Sequence, residues 1–383
     1  MLMNQINRLV GLFIILLIYA STHYYIGVNL FQWFNTFITN FNGVAFSIIF
    51  CLIALSIFIV FVPFKGTIKR IFSWIGSYWM GFFIYFLLFF VCADILLLIA
   101  KMTNLVTSPI SSRVQFYFGL SVVLLTFCVV GYGIYNATKI KHVTYTIETT
   151  KTKLIRGLKI VLISDLHLGA VNSEKRLEMI VREVNACSPD IICIAGDIFN
   201  DDYNTIINED RAIALFRGLS STYGVYASLG NHDGGATFSD MVRFLEKCNI
   251  QLLNDDYTVI DHKLILWGRL DSSPIGGYGT LKRKSIAHKM AALDHSMPII
   301  VMDHTPNKLD EYSSEVDLIV AGHTHKGQLF PGSLITRLVF EVDYGHYQRN
   351  DSSPHVIVSS GVGTWGMPMR VGSHNEIVTI TLK

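Results

Sequence analysis

The sequence predicts an α/β domain preceded by an all-α membrane domain of about four helices. Three observations carry that reading. First, charge is segregated. No Asp, Glu, Lys or Arg stands between Arg8 and Lys65, Asp94 is the lone charge from Ile71 to Ala100, and none lies from Val114 to Thr138. Second, from about residue 150 onward, short apolar runs of strand length alternate with amphipathic helical stretches. Third, the apolar runs end on Asp, Asn and His with Gly close by. A site at the carboxyl edge of a sheet demands that pattern. The 383-residue chain is 51% hydrophobic, more apolar than a soluble domain of its length.

The membrane domain is expected over 1–140. A bilayer core needs about 20 consecutive apolar residues per helix. The run from Leu9 to Phe64 is long enough for two spans, near 9–28 and 43–63, with a turn near Asn35 to Asn42. Two more follow near 71–100 and 114–136. The first span lacks the small-residue cleavage site of a secretory signal. Lys65, Lys69 and Arg70 lie between spans two and three, and Lys139, Lys141, Lys151, Lys153 and Arg156 follow span four. Lys101 and Arg113 lie between spans three and four, and the first loop has no positive charge. Positive residues favour the cytoplasmic side. The expectation is an integral, multi-pass protein of the cell membrane, touching membrane lipids, with both termini and the polar domain cytoplasmic. Asp94 is an intramembrane carboxylate and so a functional candidate. Its place near the end of span three also lets it reach the interface.

Cys51, Cys92 and Cys128 lie in the spans, while Cys187, Cys193 and Cys248 are scattered without a CxxC pair. That pattern argues against a disulfide framework or a thiolate zinc site. The net charge of +2 leaves no electrostatic footprint for nucleic acid.

A linker is expected over 141–157 and the polar domain over 158–383. In order, strands are predicted at Leu158–Ser164, Asp190–Ala195, Val225–Leu229, Lys263–Arg269, Pro298–Met302, Leu318–Val320, His355–Ser359 and Glu376–Leu382. Helices are predicted at Ser173–Ala186, with Leu177, Ile180, Val181 and Val184 on one face, near Ile206–Leu219, and at Phe238–Cys248. After Phe330 the pattern is mostly β.

Five strand ends then line up. They carry Asp165-Leu-His167, Gly196-Asp197, Gly230-Asn231-His232-Asp233, Asp303-His304 and Gly322-His323-Thr324-His325. A lone Asp-x-His is ordinarily surface, and a lone Gly-Asp carries no signal. All five in order, each after an apolar strand, point to a metal site of nitrogen and oxygen donors. Residues two apart in an extended segment point the same way, so Asp165/His167 and His323/His325 can each grip one ion. So many ligand-type residues exceed one ion's needs and suit two if one carboxylate bridges. Asp197, arriving alone, is the natural bridge.

The order D-x-H, GD, GNHD, H, GHTH resembles the calcineurin-like metallophosphoesterase family over roughly Leu158 to Lys383. The stretches "GHTHKGQLFPG" and "SSGVGTWGMPMRVGSHNEIVTITL" are similar, more narrowly, to bacterial phosphodiesterases of the YkuE and YaeI type. The resemblance implies a four-layer α-β-β-α sandwich and two divalent metal ions, drawn from Mn, Fe or Zn. One ion would be held by Asp165, His167, Asp197 and His325, and the other by Asp197, Asn231, His304 and His323. His232 would face the phosphate as general acid or charge stabiliser, with Asp233 orienting it. The implied activity is hydrolysis of a phosphate ester, a diester before a monoester, by a hydroxide shared between the metals. Four spans favour a lipid-linked or envelope-precursor phosphate as substrate. Lys326 stands where the family often has a second Gly. Soluble UDP-diacylglucosamine hydrolases usually have Arg where this chain has His232, which sets it apart from them. Tyr344, His346, Tyr347, Trp365, Met367 and Arg370 are candidates to line a substrate groove. The competing reading is a metal-binding scaffold or sensor with little turnover, since fold does not fix function. A transporter regulated by the polar half has only Asp94 in its favour.

Overall fold

The computed structural model describes residues 2–61, 67–106, 109–149, 151, 155, 157–169, 171 and 174–383. Lys65, Lys153 and Arg156 of the charge pattern, and Ser173 at the start of the first predicted helix, lie outside them. The chain divides into two compact units, Met1–Gly133 and Ile134–Lys383.

The first unit is helical. Helix α1 runs Leu2–Asn35. Helix α2 runs Gly43–Leu55 and tightens into a 3-10 segment at Ser56–Phe61. Helices α3 (Thr67–Met102) and α4 (Ser112–Ala137) follow. Among the described residues, three stretches are long and apolar enough to cross a membrane: Leu9–Asn35, Thr67–Met102 and Ser112–Ala137. The second expected span differs. Its α-helical part is 13 residues, about 20 Å at about 1.5 Å each, and the rest of the segment continues as a 3-10 helix rather than as one long α-helix. Positions 62 and 63 of that expected span lie outside the described residues. Hydropathy reports what a segment prefers as solvent, not whether it stays helical. Here the helix is capped by the Asn42 side chain, and it ends where the Ser56 hydroxyl donates to Ile53 O at 2.6 Å, a local bond that competes with the helical ladder.

Inside this unit Ile26, Leu30, Phe86, Phe90 and Val122 form a small core. Buried His23 of α1 accepts from the Trp79 indole at 3.0 Å, and its other ring nitrogen lies 2.8 Å from Tyr19 O. The Tyr25 hydroxyl donates to Asp94, tying the lone acidic residue of α3 to α1.

The second unit is a sandwich of two six-stranded sheets. Its elements are β1 (Ile140–Ile147), β2 (Lys159–Ile163), α5 (Glu174–Ala186), β3 (Ile191–Ala195), α6 (Glu209–Arg217), β4 (Val225–Ser228), α7 (Phe238–Lys247), β5 (Gln251–Leu252), β6 (Asp256–Ile260), β7 (Leu264–Gly268), α8 (Ala287–Ala291), β8 (Ile299–Met302), β9 (Leu318–Ala321), α9 (Gly332–Val339), β10 (Gly345–Tyr347), β11 (His355–Val358) and β12 (Asn375–Leu382). One sheet has the order β1-β12-β2-β3-β4-β5, the other β10-β11-β9-β8-β7-β6. Strands β2 to β5 run parallel, as do β7, β8, β9 and β11.

The alternation of side chains along each strand sorts the apolar residues into separate layers. Ile160 and Leu162 of β2, with Leu264 and Leu266 of β7 and Ile300 and Met302 of β8, fill the space between the sheets. Val161 and Ile163 turn the other way, onto Leu177, Ile180 and Val184 of α5 and Phe244 of α7. Ile265, Ile299 and Val301 face Ile286 and Met290 around α8. The result is the expected four-layer α-β-β-α order.

Several elements differ from the sequence reading: β5, β6 and α8 fall where none was predicted, and two further differences change its outline. The stretch read as a linker begins as a strand, because β1 pairs with β12 from Ile140↔Asn375 to Ile147↔Leu382. Its pattern of exposed Lys141 and His142 with buried Ile147 suits a sheet edge, where one-sided burial leaves little apolar signal. Helix α9 interrupts the region read as mostly β.

Candidate metal centre

Each candidate ligand stands just past the carboxyl end of a central strand. Asp165 and His167 follow β2, Asp197 follows β3, Asn231 follows β4, His304 follows β8, and His323 and His325 follow β9. Adjacent parallel strands therefore deliver five loops to one edge. Asp165, His167, Asp197, His323 and His325 all have positive φ, between 47° and 70°. Such backbone costs about 1–3 kcal/mol per residue and persists only where the surroundings over-determine it. Close approach is part of that. A Cβ on Gly322 would stand 2.3 Å from Asp165 Oδ2, so the GHTH loop reaches Asp165 only because that position is glycine.

The side chains converge in two groups, Asp165/His167/His325 and Asp197/His304/His323, so His323 and His325 part between them rather than gripping one ion together, their backbone being left-handed and not extended. Within each, the ligand atoms lie within 4.8 Å of one another. His325 Nε2 is 3.1 Å from His167 Nε2 and 3.4 Å from Asp165 Oδ1. His323 Nδ1 is 2.8 Å from Asn231 Oδ1. The groups meet at Asp197. Its Oδ1 accepts from the His232 amide at 2.8 Å. Its Oδ2 is free to face the centre, 3.1 Å from His304 Nε2 and 3.7 Å from His167 Nε2.

These residues fit two cations. His304 Nδ1 donates to Ala195 O at 2.8 Å, which leaves the Nε2 lone pair aimed inward. That buried Nε2 makes no hydrogen bond among the described residues. Electrostatics point the same way. Burial opposes charge on His304, but the Asp197 and Asp165 carboxylates carry its pKa well above the ordinary value. The pocket asks for positive charge at this point. Burial holds His167 down to about 3 and His323 to about 4, so both rings offer lone pairs at neutral pH. Burial would raise Asp197, but His304 and His167 beside it hold its carboxyl well below the usual range. Burial, reinforced by the charge on Asp197, pushes Asp165 up to about 6. Imidazole, carboxylate and amide donors suit Mn, Fe or Zn.

His232 stands beside the two groups, its ring centroid 5.2 Å from His167's. Its Nδ1 is 2.7 Å from Asp201 Oδ1. Burial draws its pKa down, but the Asp201 hydrogen bond and the charge on Asp197 carry it above the ordinary value. Asp233, expected to orient this ring, does something else. Its carboxylate accepts from the amides of Phe199 at 2.9 Å and Gly230 at 2.8 Å, pinning the loops after β3 and β4 together. The orienting role falls to Asp201, missed in the sequence because its link to His232 spans two loops. A second Asp four residues past Gly196-Asp197 is the signal that marks it.

The groove candidates divide. The Trp365 ring lies 5.7 Å from His232. Arg370 is fully buried and serves His325 rather than a groove. It donates to His325 O at 3.1 Å and Gly363 O at 2.6 Å, with Nη2 3.1 Å from His325 Nδ1. Lys326 Nζ sits over the Tyr344 ring at 4.0 Å. His346 pairs with His355 and Tyr347 with Glu341, and Met367 offers its carbonyl to Gln328. A cleft of about 520 Å³ opens from Asn231 and His323 past Asp271 and Thr305 to Val339 and Phe340.

Two adjoining groups of nitrogen and oxygen side chains at the edge of a two-sheet sandwich make a donor set of the kind that holds metal ions. The comparisons agree. A family model described as calcineurin-like phosphoesterase matches residues 158–327. An uncharacterized metallophosphoesterase of Bacillus subtilis, YkuE, is 30% identical over 268 residues, covering 66% of this chain and 90% of that protein. An uncharacterized metallophosphoesterase of Campylobacter jejuni is 28% identical over 384 residues, covering 97% of each chain. That likeness takes in the helical unit as well. A Bos taurus transmembrane protein with metallophosphoesterase domain is 30% identical over 271 residues, covering 66% of this chain and 59% of its own. The chain belongs to the calcineurin-like metallophosphoesterase family.

Proposed function

We propose that this protein is a membrane-bound phosphodiesterase that holds two divalent cations and acts on a lipid-linked or envelope-precursor phosphate. The observation that carries the reading is the pair of ligand groups meeting at Asp197 with His232 beside them. Asp165, His167, Asp197 and His325 would hold one cation, and Asp197, Asn231, His304 and His323 the other. When bound, the cations would lower the pKa of water and neutralise charge developing on the phosphoryl group. His232, held by Asp201 at Nδ1, presents Nε2 to the leaving oxygen and supplies its proton. Asp233 keeps the loops that carry Asp197 and His232 in register. The diester preference rests on the likeness of the GHTH and C-terminal stretches to bacterial phosphodiesterases.

The test uses the full chain in detergent micelles with Mn²⁺. It should hydrolyse a chromogenic diester faster than the matching monoester, and a micellar lipid diester faster than a water-soluble one. Chelation should abolish turnover and lower the Tm, since a ligand present at a hundredfold excess over its Kd stabilises the folded state by about 2.7 kcal/mol. Metal binding without turnover on any ester would favour the scaffold reading instead. Equal rates on micellar and soluble diesters would sink the lipid-linked substrate.

The catalytic unit is placed on the cytoplasmic side in this proposal, because Lys139, Lys141 and Lys151 follow the last apolar helix. Lys69 and Arg70, at the start of α3, are two crossings away and so share that side. Protease added to intact cells should leave the catalytic unit whole and digest it only after lysis. Digestion in intact cells would reverse the assignment.

A further inference from the structure

Helix α9 carries a bare apolar face. Leu334, Ile335, Leu338 and Val339 are 52%, 63%, 87% and 68% exposed, and Phe330 just before the helix is 46% exposed. Positions 334/338 and 335/339 are four apart and 335/338 three apart, so they share one side of the helix. The opposite side is tied down, with Thr336 Oγ1 donating to Asp343 at 2.8 Å. Contiguous apolar surface of this kind marks an interaction site.

The place of α9 in the catalytic unit is specific. Its first turn lies directly on the ligand loop, where a Cβ on Gly327 would stand 2.1 Å from Ser333 N. Gly327 is two residues past His325. Its last residue, Val339, lines the cleft that opens from Asn231 and His323.

The same unit also holds the end of a long apolar helix. The last turn of α4 belongs to it, and only two residues separate Ala137 from β1. There the exposed Tyr135 ring lies 4.9 Å beneath Lys139 Nζ, the aromatic and basic pairing of a headgroup level. The Asn136 amide donates to the carbonyls of Arg370 at 3.0 Å and Ser373 at 2.8 Å. Between those two residues, Val371 pairs with the loop leading into α9, through Phe330 N to Val371 O at 2.8 Å and Val371 N to Gln328 O at 3.0 Å. The end of the membrane helix and the start of α9 are thus fastened to one four-residue loop.

We infer that α9 is an interfacial helix that lays Leu334, Ile335, Leu338 and Val339 into the lipid surface, setting the cleft over the metal ligands at the lipid–water boundary. The short apolar face, with exposed Arg337 on the same helix and Lys139 and Lys141 just past the end of α4, fits a bilayer with anionic headgroups. A substrate would enter with its phosphate at the His323 end of the cleft and its hydrocarbon along Val339 and Phe340. The inference rests on the membrane-bound reading above, and its readout is independent of turnover.

The test places a benzophenone-bearing phenylalanine analogue at Leu338, separately at Leu334, and at Ile207, an apolar residue 47% exposed away from α9. The full chain is reconstituted in vesicles of phosphatidylethanolamine and phosphatidylglycerol and illuminated. Lipid adducts at both α9 positions and none at Ile207 are expected. Adducts to a second copy of the chain, no lipid adduct at either α9 position, or equal lipid adducts at Ile207 would each overturn the inference. An inactive protein that still forms the α9 adducts would count against the phosphodiesterase reading and leave this one standing.

Discussion

Asp197→Asn is expected to weaken the binding of both cations and remove nearly all turnover. The substitution keeps the shape, and an amide oxygen can still accept from the His232 amide at 2.8 Å, so the fold should survive. What goes is the negative charge that Oδ2 presents to both ligand groups. Each cation contributes several kcal/mol of charge stabilisation in the transition state, so kcat/KM on a chromogenic diester should fall by about 10³-fold or more. Metal content separates this residue from its neighbours. Mass spectrometry should find both ions weakened in Asp197→Asn but only one in His325→Gln, because His325 stands in one group alone. A variant that kept two tightly bound ions would show that Asp197 is not shared.

His232→Asn should leave both ions bound and slow the chemical step. A positioned proton donor contributes about 10²–10⁴-fold, and the size depends on how much the leaving group needs a proton. The loss should be near the lower figure for a nitrophenyl diester, whose leaving phenolate is stable, and near the upper figure for an alkyl diester. Asp201→Asn should show the same leaving-group dependence in smaller measure, because Asp201 acts only through the ring it holds at 2.7 Å. Equal losses on the two substrates would mean that His232 stabilises charge without giving up its proton.

The candidate ligands are legible in the sequence because the physics that places them is local. An apolar run long enough for a buried strand announces its own end, and a ligand just past it sits at the sheet edge whatever the rest of the chain does. Asp165, His167, Asp197, Asn231, His304, His323 and His325 all obey that rule. The amphipathic helices are legible for the same reason, since Leu177, Ile180, Val181 and Val184 repeat at helical spacing and are all buried. Strand β1 is not legible that way. It covers the outer edge of the sheet, and its exposed residues carry the polar character of a tether.

The sequence by itself determined the family, the division into an apolar helical half and an α/β half, and the chemistry of the donor set. Periodicity, charge segregation and strand-end motifs are properties of neighbouring residues. Only the tertiary structure decided that Asp201 rather than Asp233 holds His232, that Arg370 braces His325, and that α9 lies on the ligand loop with its apolar face bare. Each of these depends on which loop or helix lands beside which. That is fixed by packing between elements far apart in the chain, where a single local pattern carries no information.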